Sequence, residues 1–250
     1  DVYKRQLSVY TSLALDIGMR MLVCGAQIGR VENSIERMCT AFGAAETHVF
    51  SVTSGIIVTC FNKDGSSITQ LRRVRSEKFD MNKLEHLNQL SRDICANRVS
   101  ASDIPTRLAE IDRSRSHPFW LLIIAYAGIS ASLSIFFGAT AMDAFVSAIT
   151  GIILCLLERL LLQLHMDRVF TTFLLALLAG LCNVAMVKVG FGAHYDAISL
   201  GNIMLLIPGI AMTNSIHDMF VGDMISGVSR FFQSLVIAFI AVSYTHLRAH

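Results

Sequence analysis

Residues Phe119–Phe137 read FWLLIIAYAGISASLSIFF, an almost unbroken aliphatic and aromatic run. A helix needs about 20 such residues to cross the hydrocarbon core of a bilayer. No Lys, Arg, Asp or Glu occurs between Ser116 and Met142, whereas a core helix of a soluble domain would carry a polar stripe somewhere along it. Trp120 near the start suits an interfacial anchor. This stretch divides the chain of 250 residues. Residues 1–117 hold 16 of the 21 Lys and Arg and 13 of the 19 Asp and Glu, and the rest of the chain holds five and six. Apolar residues make up 53% and charged residues 16%, against about 25% charged in an ordinary soluble domain. A secreted disulfide domain, a disordered regulator and a simple cytoplasmic enzyme are all excluded.

Further apolar runs follow. The second span is expected at Met142–Leu157, flanked by Asp143 and Glu158, the third at Val169–Val187, and the fourth from Ala197 to Met212, interrupted by Pro208-Gly209. The fifth runs Phe231–Val242. Basic residues in short loops orient such bundles. Arg113 and Arg115 precede the first span, Arg159 and Arg168 lie in an expected loop Glu158–Arg168, and Arg230 begins the fifth span. All fall on one side, which puts the N-terminus in the cytoplasm. The fold class expected is an α-helical polytopic membrane protein with an N-terminal cytoplasmic α+β domain. That domain takes residues 7–117, and a five-helix transmembrane domain takes residues 118–243.

In the N-terminal half, Leu13, Ile17, Met21, Cys24, Ile28, Val31, Ile35, Met38 and Phe42 recur at helical spacing. Gly18, Gly25 and Gly29 share a second stripe, which either close approach of another helix or a break near Gly25–Gly29 would explain. Short β-like runs follow at Thr47–Thr53, Ile56–Phe61 and Ser67–Leu71, with Asn62–Gly65 as turn chemistry. Helices are expected at Lys83–Ser100 and at Ile104–Ile111, the latter capped by Ser102 or Asp103 with Pro105 in its first turn. His48 and Cys60 could lie on neighbouring strands, but no acid completes a triad. None of the six cysteines forms a CxxC pair or sits at zinc spacing, so they read as packing residues, with no metal or cofactor implied. The basic cluster Arg72, Arg73, Arg75 and Lys78 is balanced by Glu77 and Asp80 and reads as a solvated face rather than a nucleic-acid surface. The terminal stretches DVYKRQ and SYTHLRAH resemble translated adaptor sequence, in which case the natural chain would continue past residue 242.

Chemistry concentrates in Gly201–Arg230. Pro208 removes a backbone donor from its helix, and such breaks are tolerated where they line a cavity or lean on polar groups. Transporters use broken helices to offer backbone dipoles to a polar substrate. Asn214 and Asp218 are four apart and share a face beyond the break. His217, Asp223 and Arg230 add charged or titratable groups. Asn183 in the third span could meet this patch, and Asn202 could extend a polar track, since polar groups at such depth face the bundle interior. A kinked span followed by an interfacial loop with surface charges is the plainer alternative. On the N-terminal helix, Arg20, Arg30, Glu32 and Arg37 read by spacing as a solvated face. Gly128, Ser132, Gly138, Gly151 and Gly180 would allow close helix packing.

Taken together, GMRMLVCGAQIGRVENSIERMCTAFG (Gly18–Gly43), VFSVTSGIIVTCF (Val49–Phe61) and Pro208-Gly209 followed by Asn214, Asp218, Gly222-Asp223 and Gly227 resemble the N-terminal region of the threonine/serine exporter family. The resemblance covers residues 8–242. It implies export across the bacterial inner membrane, driven by the proton gradient, of threonine, serine or a related small carboxylate. It also implies family roles for Arg20, Gly25, Arg30 and Glu32. The five-span region is similar to the longer component of split two-component exporters, so a short membrane protein supplying a second transmembrane unit is the expected partner. A homo-oligomer is a further possibility. The rival class is a membrane assembly or sensing protein whose cytoplasmic domain binds a partner. An enzyme stands third, because neither half offers a complete catalytic constellation.

Overall fold

The computed structural model describes residues 2–75, 78–114, 118–164 and 166–243. Asp1, Ser76, Glu77, residues 115–117, His165 and the tail from Tyr244 lie outside them, as do the side chains of residues 2–4, Arg168 and Ser243. The chain divides into two compact units. One comprises Asp1–Ser116 with Thr213–Phe231, the other His117–Met212 with Phe232–His250.

The N-terminal unit is α+β. Two helices, α1 (Val2–Val23) and α2 (Ile28–Ala41), precede an antiparallel meander of β1 (Glu46–Val52), β2 (Gly55–Phe61) and β3 (Ser67–Arg73) in that spatial order. Helices α3 (Met81–Cys95) and α4 (Ile104–Arg113) complete it. Alternation on β2 sends Ile56, Val58 and Cys60 into the core, where they meet Leu15, Ile17 and Met21 of α1 and Val31, Ile35 and Met38 of α2. Burying each such side chain is worth about 1.5–3 kcal/mol, which is what holds the sheet to the helix pair.

The helical pattern of 13–42 is therefore two helices. Gly25 breaks it at φ +94°, and the Phe79 ring lies where a Cβ would sit, 2.4 Å from the ideal position. Close approach also occurs, at Gly18, whose missing Cβ makes room for Ile35. Helix α3 begins earlier than its apolar pattern indicated, because Asp80 accepts the Lys83 N–H at 3.0 Å. It ends at Cys95, and Asn97 then turns the chain at φ +55°. Neither expected side chain caps α4: Asp103 occupies the N-cap without a capping bond and instead accepts from Ser102 Oγ. Arg72 is only partly a surface charge, since its Nε donates to Asp16 on α1 at 2.8 Å.

Of the later helices, α5 (Phe119–Phe136), α6 (Ala141–Gln163) and α7 (Arg168–Lys188) are each long and apolar enough to cross a bilayer, as is α10 (Met224–Ser243), whose residues are divided between the units after Phe231. Helices α8 (Tyr195–Leu206) and α9 (Gly209–Val221) bend by 57° at Ile207–Pro208. The described residues thus contain four candidate spans, or five if the bent pair is one. Ile124, Ile129, Ile135 and Phe136 on α5 and Phe170 and Phe173 on α7 are exposed, as lipid-facing side chains should be. The second span is longer than its charge pattern suggested. Glu158 and Arg159 remain helical because α5 supplies partners: Tyr126 donates its hydroxyl to Glu158, and Arg159 stacks on the Phe119 ring at 4.0 Å. The expected inward loop from Glu158 shrinks accordingly. Of the small residues read as packing positions, Gly151 fits, with a Cβ there 2.8 Å from the Tyr126 carbonyl, whereas Gly128 and Gly138 have nothing within 4 Å.

Candidate functional site

The sequence-derived site residues gather in two clusters, one in each unit. In the membrane unit the centre is Asn202 on α8, with no exposed surface. Its Nδ2 donates to Asn183 Oδ1 on α7 at 3.3 Å and to the Ile198 carbonyl at 3.1 Å, and its Oδ1 accepts from Ser130 on α5. Asn183, equally buried, also accepts from Thr150 Oγ1 on α6 at 2.9 Å and donates to Ser199 Oγ at 3.4 Å. Ser130 reaches the Ser147 hydroxyl and carbonyl, both at 2.9 Å. Four helices thus contribute amides and hydroxyls to one interior network. An unpaired polar group in hydrocarbon costs several kcal/mol, so the satisfied network is what lets these residues occupy the bundle interior. Gly201 permits it: a Cβ there would stand 2.8 Å from both Ser130 O and Ser134 N of α5.

The second cluster assembles around the start of α2. Gln27 occupies the N-cap position without a side-chain cap. Asp218 on α9 takes that role, accepting the Ile28 N–H and an Arg230 Nη1 donor at 3.1 Å. A carboxylate at a helix N-terminus meets unsatisfied N–H groups and the positive end of the dipole. Asp218 and Arg230 are each only 2% exposed. Asn214, one turn before Asp218, donates Nδ2 to the Gly25 carbonyl at 3.4 Å. Asp223 approaches Gly29, its Oδ2 3.9 Å from the position of a Cβ. Glu32 accepts the Ser51 N–H of β1 at 2.6 Å. Burial pushes the Glu32 carboxyl above its ordinary value; the Ser51 N–H opposes that, and the Asp223 charge adds to it.

Arg230 does not begin its helix as expected but sits inside α10, buried. His217, next to Asp218 on α9, is exposed. Pro208 is half-buried and Gly209 exposed at the break, where the Gly209 N–H reaches back to the Ile207 carbonyl at 2.8 Å. Arg20 pairs with Asp112 of α4 at 3.2 Å, and Arg30 is exposed. His48 and Cys60 sit on adjacent strands but opposite faces: Cys60 is buried beside Thr47, while His48 is exposed beside Glu46 at 3.2 Å. They form no dyad. Among the described residues no group of three or more His, Cys, Asp and Glu is arranged to hold a metal.

Sequence reading passed over Asp143. It is wholly buried at the start of α6, where it bonds the Thr140 N–H and hydroxyl, the Ala193 and His194 N–H groups and His194 Nδ1 at 2.8 Å. Thr140 three residues before Asp143 is a capping-box signal. His194 lies 51 residues away, a distance no local pattern can bridge.

Residues 12–245 match the family described as "Putative threonine/serine exporter". A "Probable threonine/serine exporter" of Mycobacterium tuberculosis is 24% identical over 235 residues, covering 92% of this chain but 44% of its own length. A "Probable succinate transporter subunit YjjP" of Klebsiella aerogenes is 23% identical over 233 residues, and its Escherichia coli counterpart 22% over 227; the chain spans 88% of each. No solved structure matches the chain. It is a multi-pass membrane protein, which fits a bacterial inner membrane, and it belongs to the threonine/serine exporter family.

Proposed function

We propose that this chain exports small polar metabolites, threonine and serine or a related small carboxylate, across the bacterial inner membrane with its N-terminal domain in the cytoplasm. The carrying observation is the interior network of Asn183, Asn202, Ser130, Thr150 and Ser199. Two buried amides within apolar helices are costly, and polar groups kept at such depth are those that mark substrate pathways. These amides and hydroxyls suit the hydroxyl and carboxylate of a small solute, and the break at Pro208, six residues after Asn202 in the sequence, frees backbone dipoles of the kind transporters offer to a polar substrate.

Proton coupling is assigned to Asp218. Protonation would cancel its charge, weakening both its pairing with Arg230 and its capping of α2. A two-state element biased by one proton is what coupling requires. A second membrane subunit is part of the proposal. Two relatives named as transporter subunits match this chain over most of their length, and the longer exporter is spanned only by 44%.

The test is flux of radiolabelled threonine, serine and succinate in proteoliposomes under an imposed proton gradient. It is run with this chain alone and with any short membrane protein encoded beside its gene. Saturable, gradient-dependent flux is expected, with Asp218→Asn removing the gradient dependence in vesicles that hold equal amounts of folded protein. Gradient-driven flux that survives Asp218→Asn would sink the proton role. Absence of flux from both preparations, with folded and inserted protein, would favour assembly or sensing instead.

A further inference from the structure

A groove runs between α2 and α3; at one end it reaches Gly29, the residue that Asp223 of the second cluster approaches. Arg30 and Arg37 stand seven apart on α2 and so present one face to it, while Arg92 enters from α3. With Asn33, Asn88 and Ser91 they line an open space of about 490 Å³ that no carboxylate enters. Arg20, Arg72, Arg98 and Arg107 each reach an acid, at 3.2, 2.8, 3.6 and 3.9 Å. Among the described residues Arg30 and Arg37 have no acidic partner. Arg92 donates Nε and Nη2 to the Gln89 amide oxygen at 3.1 and 2.6 Å, which orients its guanidinium without neutralising it. The neighbouring acids turn elsewhere. Asp93 accepts from Gln89 and Arg98, and Glu36 lines an adjacent shallow depression with Arg37 and Thr40.

Three uncompensated guanidinium groups around one space repel each other unless an anion joins them. Each offers a planar fork that fits carboxylate or phosphate oxygens in pairs. Along α2 the two arginines are about 10 Å apart at 1.5 Å per residue. Their side chains can therefore grip two anionic groups on one small molecule, or one group from two sides. The amides of Asn33 and Asn88 add neutral donors. A zwitterionic amino acid fits poorly, since its ammonium would face three cations and no acid.

We propose that this groove binds a small polyanion, a dicarboxylate or a phosphate-bearing group, through Arg30, Arg37 and Arg92. None of the three arginines takes part in the proposed transport mechanism, and the test needs no flux, so the two readings stand or fall separately.

The full chain would be placed in phosphatidylcholine nanodiscs and titrated calorimetrically with succinate, inorganic phosphate and serine at low salt. Saturable binding of succinate or phosphate, and not of serine, is expected. Arg30→Gln and Arg37→Gln should each weaken it at least about tenfold, the scale of one lost charge-assisted bond. Arg37→Lys, which keeps the charge but loses the fork, should fall between, and Arg107→Gln should change nothing. Repeating the titration in phosphatidylglycerol nanodiscs distinguishes the source. Loss of binding there assigns the groove to a lipid headgroup, and unchanged binding assigns it to a soluble anion. No saturable binding of either anion in phosphatidylcholine, equal binding of serine, or binding untouched by replacing all three arginines with Gln would overturn the proposal.

Discussion

Asp218 shows how one side chain can serve two masters. It neutralises Arg230 and caps α2 in place of Gln27, and both partners are buried. Removing one member of such a pair strands the other charge, at about 3–5 kcal/mol, whereas replacing both costs far less. Asp218→Asn and Arg230→Gln should therefore each lower the unfolding midpoint of the purified protein sharply. The double variant should recover much of the loss; strictly additive losses would mean the pair is not coupled. Glu32 gives a pH prediction. Its folded-state carboxyl is raised by burial, so the folded protein binds the proton more tightly than the unfolded chain. Its contribution is present below the ordinary carboxylate range and is lost as pH rises through the elevated value. Unfolding midpoints measured across that range should fall less steeply for Glu32→Gln, whose amide oxygen can still accept the Ser51 N–H.

At the scale of elements, the membrane unit depends on close approach of helices rather than on burial of apolar surface, because lipid is as apolar as the side chains. Gly201 lets α8 lie against the α5 backbone, and Gly151 does the same for α6. Gly201→Val would force α5 and α8 apart and break the Ser130–Asn202 bond, so its melting temperature should drop by several degrees or the protein should fail to accumulate. Gly128→Val is the control, since no described atom lies within 4 Å of its Cβ position, and it should melt like the parent. Equal effects of the two would show that the α5–α8 approach is not what Gly201 serves. The break at Pro208 belongs to this scale too. It ends α8, and α9, which bears Asn214 and Asp218, runs on at 57° to it.

At the scale of the molecule, the two units do not follow chain order: Thr213–Phe231, between the last two apolar stretches, belongs with the N-terminal domain. The cap on α2 and the bond from Asn214 to Gly25 tie it there. A chain lacking residues 2–114 should lose the groups that bury this segment. Limited trypsin digestion reads the effect, because Arg230 is 2% exposed in the intact protein. Cleavage after Arg230 should be slow in the full chain and rapid in the truncated one. Equal rates would show that the segment holds its structure without the domain.

The amino-acid sequence alone determined the two-part composition, the apolar helices, the β-meander and the helical face shared by Asn214 and Asp218. Each of these follows from local periodicity, turn chemistry or the length a bilayer demands. It also marked Asn183 and Asn202, because an amide within an apolar run is conspicuous wherever it lies. Tertiary structure alone decided that Asp218 caps α2, that Arg230 is its buried partner, and that Asp143 holds His194. The reason is one of distance along the chain: Asp218 and Ile28 are joined by a single hydrogen bond across most of the sequence, and no local pattern encodes a partner so remote. Charges likewise misled at Glu158 and Arg159, where partners on α5 let a helix continue through residues that, read singly, should have ended a span.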